Sequence, residues 1–356
     1  MMKNVLKEVL GVDVAQKELV VTLGRMFNDL TIELYAHKVF KNNDKGILAL
    51  LDWVKKLSDA EVNVRFVMEA TGVYHQKFAF YLDDHDYEVS VVLPNKISNY
   101  MRTLENKTIT DKSCSQAIAQ FGLERKLDQW HKPKKIYRSL QQLTRERDQI
   151  VSERVVVKNQ LHAEQAEAEP NERSLKRLEE RIRLLNKQEK EIKSDLNGIV
   201  NNDRILQGEI KNICSITGIG ELTAIIVLAE TNGFELIRNK KQLTSYAGLD
   251  IKEKQSGTSI KGKPRISKKG NRHLRKAMYL PALVAVKHDE NFRNVYARIV
   301  SKQGIKMKGL VAVQRKLLEM TYVIYKSKKQ YHKDYQDINR SSALFQTDQH
   351  ATQTSS

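Results

Sequence analysis

Residues 8–23, EVLGVDVAQKELVVTL, decide the class of fold. Glu8 to Asp13 is a short apolar run ending on an acid, and a second run, Glu18 to Leu23, follows after Val14-Ala15-Gln16-Lys17. Two such runs about a short polar turn read as paired strands, with Asp13 at the end of the first. Outward from them, a third strand is expected around Thr31–Phe40. Asn42 or Asn43 can cap a helix through Lys56, with Ile47, Leu48, Leu51, Val54 and Leu57 at helical spacing. Residues 62–69 (VNVRFVME) read as a buried strand ending on Glu69 and broken by Ala70-Thr71-Gly72. A helix through Val73–Leu82 and a strand over Tyr87–Leu93, stopped by Pro94, complete the set. Three strands, helix, strand, helix, strand is the pattern of a mixed sheet with helices on its faces.

At 356 residues and 40% hydrophobic content the chain can build two domains with real cores, which excludes wholesale disorder. The formal charge of +18 points to a polyanion, nucleic acid or an anionic membrane surface. No apolar run approaches the roughly 18 to 20 residues of a spanning helix, so no membrane partner is expected. MMKNVLKEVLGVDV has no signal-peptide core, and two cysteines without motif spacing indicate a reducing, cytoplasmic protein. None of the nine histidines pairs at metal-ligand spacing; His75 is the nearest to the carboxylates discussed next and is expected to be structural.

Asp13 and Glu69 each end an apolar strand. Adjacent strand ends would hold two carboxylates on rigid backbone a few Å apart, as Mg²⁺ requires. Asp111 is the candidate third member, at the start of a helix over Ser113–Leu123 (SCSQAIAQFGL) that can pack back on the sheet. In the other half, Ile251 to Lys276 holds ten Lys or Arg against one acid, Glu253. Lys261, Lys263, Arg265, Lys268, Lys269, Arg272, Arg275 and Lys276 are the candidate phosphate contacts. Within this stretch Ser256 stands beside Gly257, a hydroxyl among cations that can stabilise charge developing on a phosphodiester. A solvated basic loop whose serines cap turns accounts for the same residues. A helix, Asn271 to Lys287, is expected to follow, with Leu274, Ala277, Met278, Pro281 and Ala282 on its packing side.

Between these halves the composition turns charged and nearly glycine-free. Leu140, Leu143, Ile150, Val157 and Leu161 keep a seven-residue frame, with Arg147 and Arg154 at intervening sites. After Pro170-Asn171, Leu175, Leu178, Ile182, Leu185, Ile192, Leu196 and Ile199 alternate by three and four, with Glu189 the lone polar occupant. Two long helices with coiled-coil stripes result, either an intramolecular antiparallel pair or an oligomerisation arm. Downstream, Thr217-Gly218-Ile219-Gly220 opens an apolar helix over Leu222–Ala229; a plain helix entry and a glycine turn for backbone phosphate, through Gly218 and Gly220, remain open.

Asp13, the Glu69-Ala70-Thr71-Gly72-Val73-Tyr74 box, and Thr110-Asp111-Lys112 followed by Ala117-Ile118-Ala119-Gln120-Phe121-Gly122 resemble a RuvC-type, RNase H-like nuclease domain. They are specifically similar to the DEDD domain of transposases of the insertion-sequence 110 family, the bridge-RNA-guided recombinases. Ser245–Ala285 resembles that family's C-terminal transposase domain, where an SG-type serine is the nucleophile, and Ser256 is the matching position. The resemblance covers about residues 1–330 and implies an α/β plus α chain: an RNase H-like mixed-sheet domain over 1–130, a coiled-coil helical hairpin over 131–210, and a mainly helical transposase domain with the serine loop over 211–328; the polar composition that follows, low in large apolar groups, predicts a disordered tail over 329–356. It implies a transposase that cuts and rejoins DNA through a Ser256 phosphoserine, with Asp13, Glu69 and Asp111 holding Mg²⁺. Its implied partners are the element's ends and target DNA, a structured guide RNA, and further copies of the chain in a homo-dimer or tetramer. One protomer's carboxylates would then join another's serine. The chain departs from the family at Cys114, where the fourth carboxylate normally stands. Two rival functions are a structure-specific nuclease of the Holliday-junction resolvase kind, with Ser256 only a loop residue, and a non-catalytic nucleic-acid scaffold.

Overall fold

Alternation along the first apolar runs sends odd- and even-numbered side chains to opposite faces of a sheet. The computed structural model describes residues 4–70, 72–104, 108–235, 237–253, 255–256, 260–261 and 265–332, and divides between Lys132 and Pro133 into two units. In the first, β1 (Val5–Val14), β2 (Glu18–Phe27) and β3 (Ile32–Lys41) form an antiparallel meander. β4 (Val64–Glu69) lies parallel to β1, and β5 (Glu88–Val92) parallel to β4. The sheet order is β3-β2-β1-β4-β5, the mixed five-stranded sheet expected.

Both faces of this sheet are covered. Leu10, Val12 and Val14 of β1, with Phe66 and Met68 of β4, pack on helices α1 (Asp44–Leu57) and α2 (Gln76–Asp84) through Ile47, Leu50, Val54, Phe78 and Leu82. Val9 and Val67 face the other way, onto α3 (Pro94–Met101) and α4 (Asp111–Glu124), through Ile97, Ile118 and Leu123. Each such aliphatic, buried fully, adds about 1.5–3 kcal/mol of transfer free energy. Asn43 caps α1, its side chain accepting from Gly46 N at 2.9 Å. The expected stop at Pro94 ends β5 and also starts a helix missed in the sequence: proline suits the first helical turn, where its absent N–H would be unpaired anyway.

The second unit is mainly helical. α5 (Lys135–Gln165) and α6 (Glu172–Asn201) run antiparallel across a short connection. The polar residues that interrupt the two apolar stripes meet each other. Glu189 is contacted by Arg147 (2.8 Å), by Arg154, and by Lys193 (3.0 Å). At the base, Tyr137, Leu140, Ile192, Leu196 and Val200 join one core with α7 (Arg204–Cys214), α8 (Glu221–Glu230), α9 (Lys240–Tyr246), α12 (Glu290–Gln303) and α13 (Lys306–Ser327). Tyr331, inside the expected tail, is buried and donates to Asp289 Oδ2 at 3.1 Å; the rest of that tail, from 333, lies outside the described residues. Among the described residues, no helix is long and apolar enough to cross a membrane.

Two sequence expectations are corrected here. The basic arm carries paired strands: β6 (Ile251–Lys252) with β9 (Arg265–Ile266), and β7 (Gln255–Ser256) with β8 (Ile260–Lys261), both antiparallel. The helix expected over Asn271–Lys287 is two helices, α10 (Arg272–Ala277) and α11 (Tyr279–His288), meeting at Met278. Pro281 explains the break, because its ring lacks the N–H that would bond the Ala277 carbonyl and clashes with it. The expected packing side is otherwise kept, with Leu274, Met278 and Ala282 fully buried.

Burial raises the Glu189 carboxyl, but hydrogen bonds from Lys193 and Arg154 and the charge of Arg147 outweigh it and bring its pKa from 4.5 to about 2. A depressed acid contributes stability that is complete above its unfolded pKa and disappears as pH falls through the folded value. Thermal melts of the α5–α6 hairpin followed by circular dichroism should therefore lose stability between about pH 4.5 and 2, and Glu189→Gln should flatten that slope. An unchanged slope in the variant would contradict the assignment.

Candidate functional site

Asp13 and Glu69 share the face of the sheet that carries Val9, Gly11 and Val67, two residues on from Gly11 and Val67 respectively. The parallel ladder between β1 and β4 runs to Val12 with Met68, so Asp13 and Glu69 follow as neighbours on adjacent strands. Strand spacing of about 4.8 Å sets their backbones apart. This is also the face on which α4 lies.

α4 is held on the sheet along its whole length. A Cβ on Gly11 would stand 2.2 Å from Ala119 N and 2.4 Å from the Ser115 carbonyl, so helix backbone rests directly on strand backbone. Beside it, buried Thr22, the partner of Gly11 on β2, is 2.8 Å from Ser115 Oγ. Lys7 Nζ donates to the Leu123 carbonyl (3.2 Å) and the Arg125 carbonyl (2.9 Å), closing the C-terminal end. At the other end Thr110 and Ser113 form a capping box, with Ser113 N donating to Thr110 Oγ1 at 3.1 Å. Asp111 is thereby the first helical residue and Cys114 lies one turn on.

The four groups act on one another. Burial pushes the Asp13 carboxyl up from 3.8 to about 6, and the Asp111 and Glu69 charges push it the same way, against a backbone hydrogen bond at Val14. Burial also raises the Cys114 thiol, as do the charges of Asp13, Asp111 and Glu69. Among the described residues, no three His, Cys, Asp or Glu side chains stand close enough to chelate one ion as they are. In charge and donor type the three carboxylates fit a hard divalent cation such as Mg²⁺, because like charges crowding a half-buried acid are what a cation relieves. Cys114 does not fit: it is a soft donor held in its neutral thiol form. His75 is buried at the start of α2, and burial lowers its pKa, which keeps it neutral.

In the second unit, Ser256 pairs with Ile260 at the inner end of the hairpin; its side chain, that of Lys261, and all of Lys263 lie outside the described residues. Arg265, Lys268, Lys269 and Arg272 are exposed. Arg275 is half-buried and donates to the Ala247 (2.8 Å) and Gly270 (3.3 Å) carbonyls, and Lys276 pairs with Asp148. Gly218, for which a helix entry and a phosphate turn were both open, is packed closely against α11. A Cβ there would be 2.5 Å from the Pro281 carbonyl, so its small size is taken up by packing on α11; Gly220, exposed ahead of α8, has nothing within 4 Å of that position. Glu230, which ends the apolar helix α8 and is 2% exposed, was missed as a candidate in the sequence. An acid closing TAIIVLAE was the available signal.

Residues 10–165 match the model of a DEDD transposase family of IS110 type, and residues 210–297 match the transposase IS116/IS110/IS902 family. A pilin gene-inverting protein of Moraxella lacunata is 26% identical over 332 residues, covering 92% of this chain and 98% of that protein. Its Moraxella bovis counterpart is 26% identical over 329 residues, with the same coverage. An uncharacterised 43.6 kDa protein of insertion element IS110 from Streptomyces coelicolor is 30% identical over 112 residues, 32% of this chain and 27% of that protein. Among solved structures, T. thermophilus RuvC in complex with a Holliday junction substrate covers 35% of this chain and 99% of its own, at 10% identity and a TM-score of 0.26, a likeness that carries no weight.

Removing one like charge should relax Asp13. In Asp111→Asn, carboxyl NMR titration should find the Asp13 pKa moved from about 6 towards 3.8; no movement would mean the two acids do not share a site. Gly11→Ala should destabilise the first unit by about 1–3 kcal/mol or more in urea unfolding, because the new methyl group meets backbone that cannot rotate away. A neutral result would show that α4 does not rest on β1.

Proposed function

The chain belongs to the IS110 family of transposases through both of its units, and on that premise we propose that it cuts and rejoins DNA through a covalent intermediate on Ser256, assisted by a divalent cation at Asp13, Glu69 and Asp111. The observation that carries this reading is the convergence of Asp111 and Glu69 on Asp13, within the residues that match the DEDD transposase model. Ser256, in its cationic hairpin, falls within the residues that match the second model.

In the proposed step the Ser256 hydroxyl attacks a phosphodiester. The Oγ–P bond forms, the P–O bond to one deoxyribose breaks, and the serine proton passes through water to the leaving sugar oxygen. The phosphoserine ester conserves the bond energy, so a hydroxyl from the partner strand can reverse the step without ATP. Arg265, Lys268, Lys269 and Arg272 supply positive charge around the phosphate. Mg²⁺, when bound, supplies Lewis acidity and orients the phosphate oxygens. The acids hold such an ion through oxygen, and Cys114 stays outside its ligand set.

The same chemistry serves excision, insertion or inversion of a segment, the last being what the Moraxella proteins are named for. The excess of cations suits a structured guide RNA as well as DNA. The division of the chain into a sheet domain, a helical hairpin and a serine domain suits a homo-dimer or tetramer that pairs one protomer's carboxylates with another's serine. The place of action is the cytoplasm.

The test is a denaturing gel of the full chain, with its co-purified RNA, on DNA bearing the element's own ends. The unaltered protein should leave a covalent protein–DNA adduct, and Ser256→Ala should leave none. Asp13→Asn, Glu69→Gln and Asp111→Asn should each slow adduct formation by about a hundredfold or more. Strand cleavage without any adduct would replace this reading with hydrolysis by activated water.

A further inference from the structure

The hairpin that carries Ser256 stands on one buried carboxylate. The chain leaves the helical body through Tyr246–Asp250 and returns through Ser267–Asn271. On the way out, Tyr246 Oη donates to the Glu230 carbonyl at 2.9 Å. On the return, Asn271 Nδ2 donates to Glu230 Oε2 at 2.6 Å, while Asn271 Oδ1 caps α10 by accepting from His273 N (2.9 Å) and Leu274 N (3.1 Å). The two sides are also joined to each other. Asn271 N donates to the Tyr246 carbonyl (2.7 Å), Lys268 N to the Gly248 carbonyl (3.1 Å), and Ser267 N to the Asp250 carbonyl (2.8 Å). They cross so closely at Gly270, φ +149°, that a Cβ there would be 2.4 Å from the Tyr246 carbonyl.

Glu230 is itself held from the opposite side. Arg145 of α5 donates through Nε to Oε1 (2.8 Å) and through an Nη to Oε2 (2.9 Å). Burial raises the Glu230 carboxyl, yet the hydrogen bonds from Arg145 and Asn271 outweigh it and its pKa falls below the ordinary range. An ion pair with one partner buried and the other, Arg145, 44% exposed adds little net stability; what it supplies is a single geometry.

We propose that Glu230 is the positioning residue of the Ser256 hairpin: clamped by Arg145, it fixes through Asn271 and Tyr246 the direction in which both sides of the hairpin leave the body. The proposal rests on Ser256 as the nucleophile. Its leverage is mechanical. Ser256 lies six residues beyond Asp250. A tilt of the neck displaces everything beyond it, the β7–β8 pair that holds Ser256 included. Misplacement of about 1 Å can cost a hundredfold in rate.

The test separates holding the hairpin from capping a helix. Asp and Asn cap equally well, so Asn271→Asp keeps α10 while setting a second carboxylate against Glu230. With the full chain and element-end DNA at pH 8, adduct formation in Asn271→Asp should fall about a hundredfold at unchanged DNA retention. Backbone amides of Ser267, Lys268 and Asn271 should exchange faster while those of α13 do not. Adding Glu230→Gln restores a carboxylate–amide pair in the reverse order and should bring the rate back to within about tenfold of the unaltered protein. Should Asn271→Asp not fold, Asn271→Ser, which caps but is too short to bridge, should show the same loss. Unchanged adduct formation and neck exchange in a folded variant would overturn the proposal. The Ser256 reading fails separately, if Ser256→Ala still forms adduct, and neck exchange would then still report on the clamp.

Discussion

One close approach underlies the first unit: the backbone of α4 lies on the backbone of β1, at a place where residue 11 has no side chain. Asp111 and Cys114 belong to the helix, Asp13 and Glu69 to the sheet. With a methyl group at Gly11, 2.2 Å from Ala119 N, the helix would have to lift off, and the acids would no longer form one group. Thr22 with Ser115 on one side, and Lys7 under the C-terminal carbonyls, keep the helix from sliding. Packing density of this order transmits small displacements rather than absorbing them. The electrostatics of the acids are therefore a consequence of the docking.

Bringing like charges together stores repulsion. Burial first, and then the Asp111 and Glu69 charges, keep the Asp13 carboxyl protonated to about pH 6 where an isolated aspartate releases its proton near 3.8. Because the folded pKa is the higher one, stability is lost as pH rises between those values, and at neutral pH the cluster stands as a cost to the fold. A cation would relieve the part of that cost due to the Asp111 and Glu69 charges, and natural sites commonly carry such strain where chemistry is done. The second unit handles its buried charges differently. Glu189 and Glu230 are each surrounded by cationic or amide donors that hold their pKa values down. One unit is poised to accept positive charge from outside, and the other is internally neutralised at its core and cationic at its surface.

Much of this was legible because period-2 alternation and caps are local signals. β1, β2 and β4, the carboxylates at the ends of β1 and β4, and the cap at Asn43 can all be traced to residue type and spacing, whereas the pairing of Arg147 and Arg154 with Glu189 shows only in the fold. What escaped depends on distant partners. Pro94 and Pro281 each carry two meanings, stop and start, and only the surrounding fold chooses between them. Strands of two residues, as in β6 to β9, are too short to show a period. Gly218 could be left only between a helix entry and a turn for phosphate, because the carbonyl it rests on, that of Pro281, is far away in the chain. Glu230 offered one acid at the end of an apolar helix, with nothing nearby to announce Arg145 or Asn271 as its partners.

The acids gathered by α4 should take up a cation together. Crystals of the full chain grown with Mn²⁺, which shares the preference of Mg²⁺ for oxygen ligands and scatters anomalously, would answer this in a single map. The expected result is an anomalous peak bonded to oxygens of Asp13, Glu69 and Asp111, with the Cys114 sulfur outside the ligand set. A map with no peak between those three side chains, or with the ion held by other groups, would contradict it.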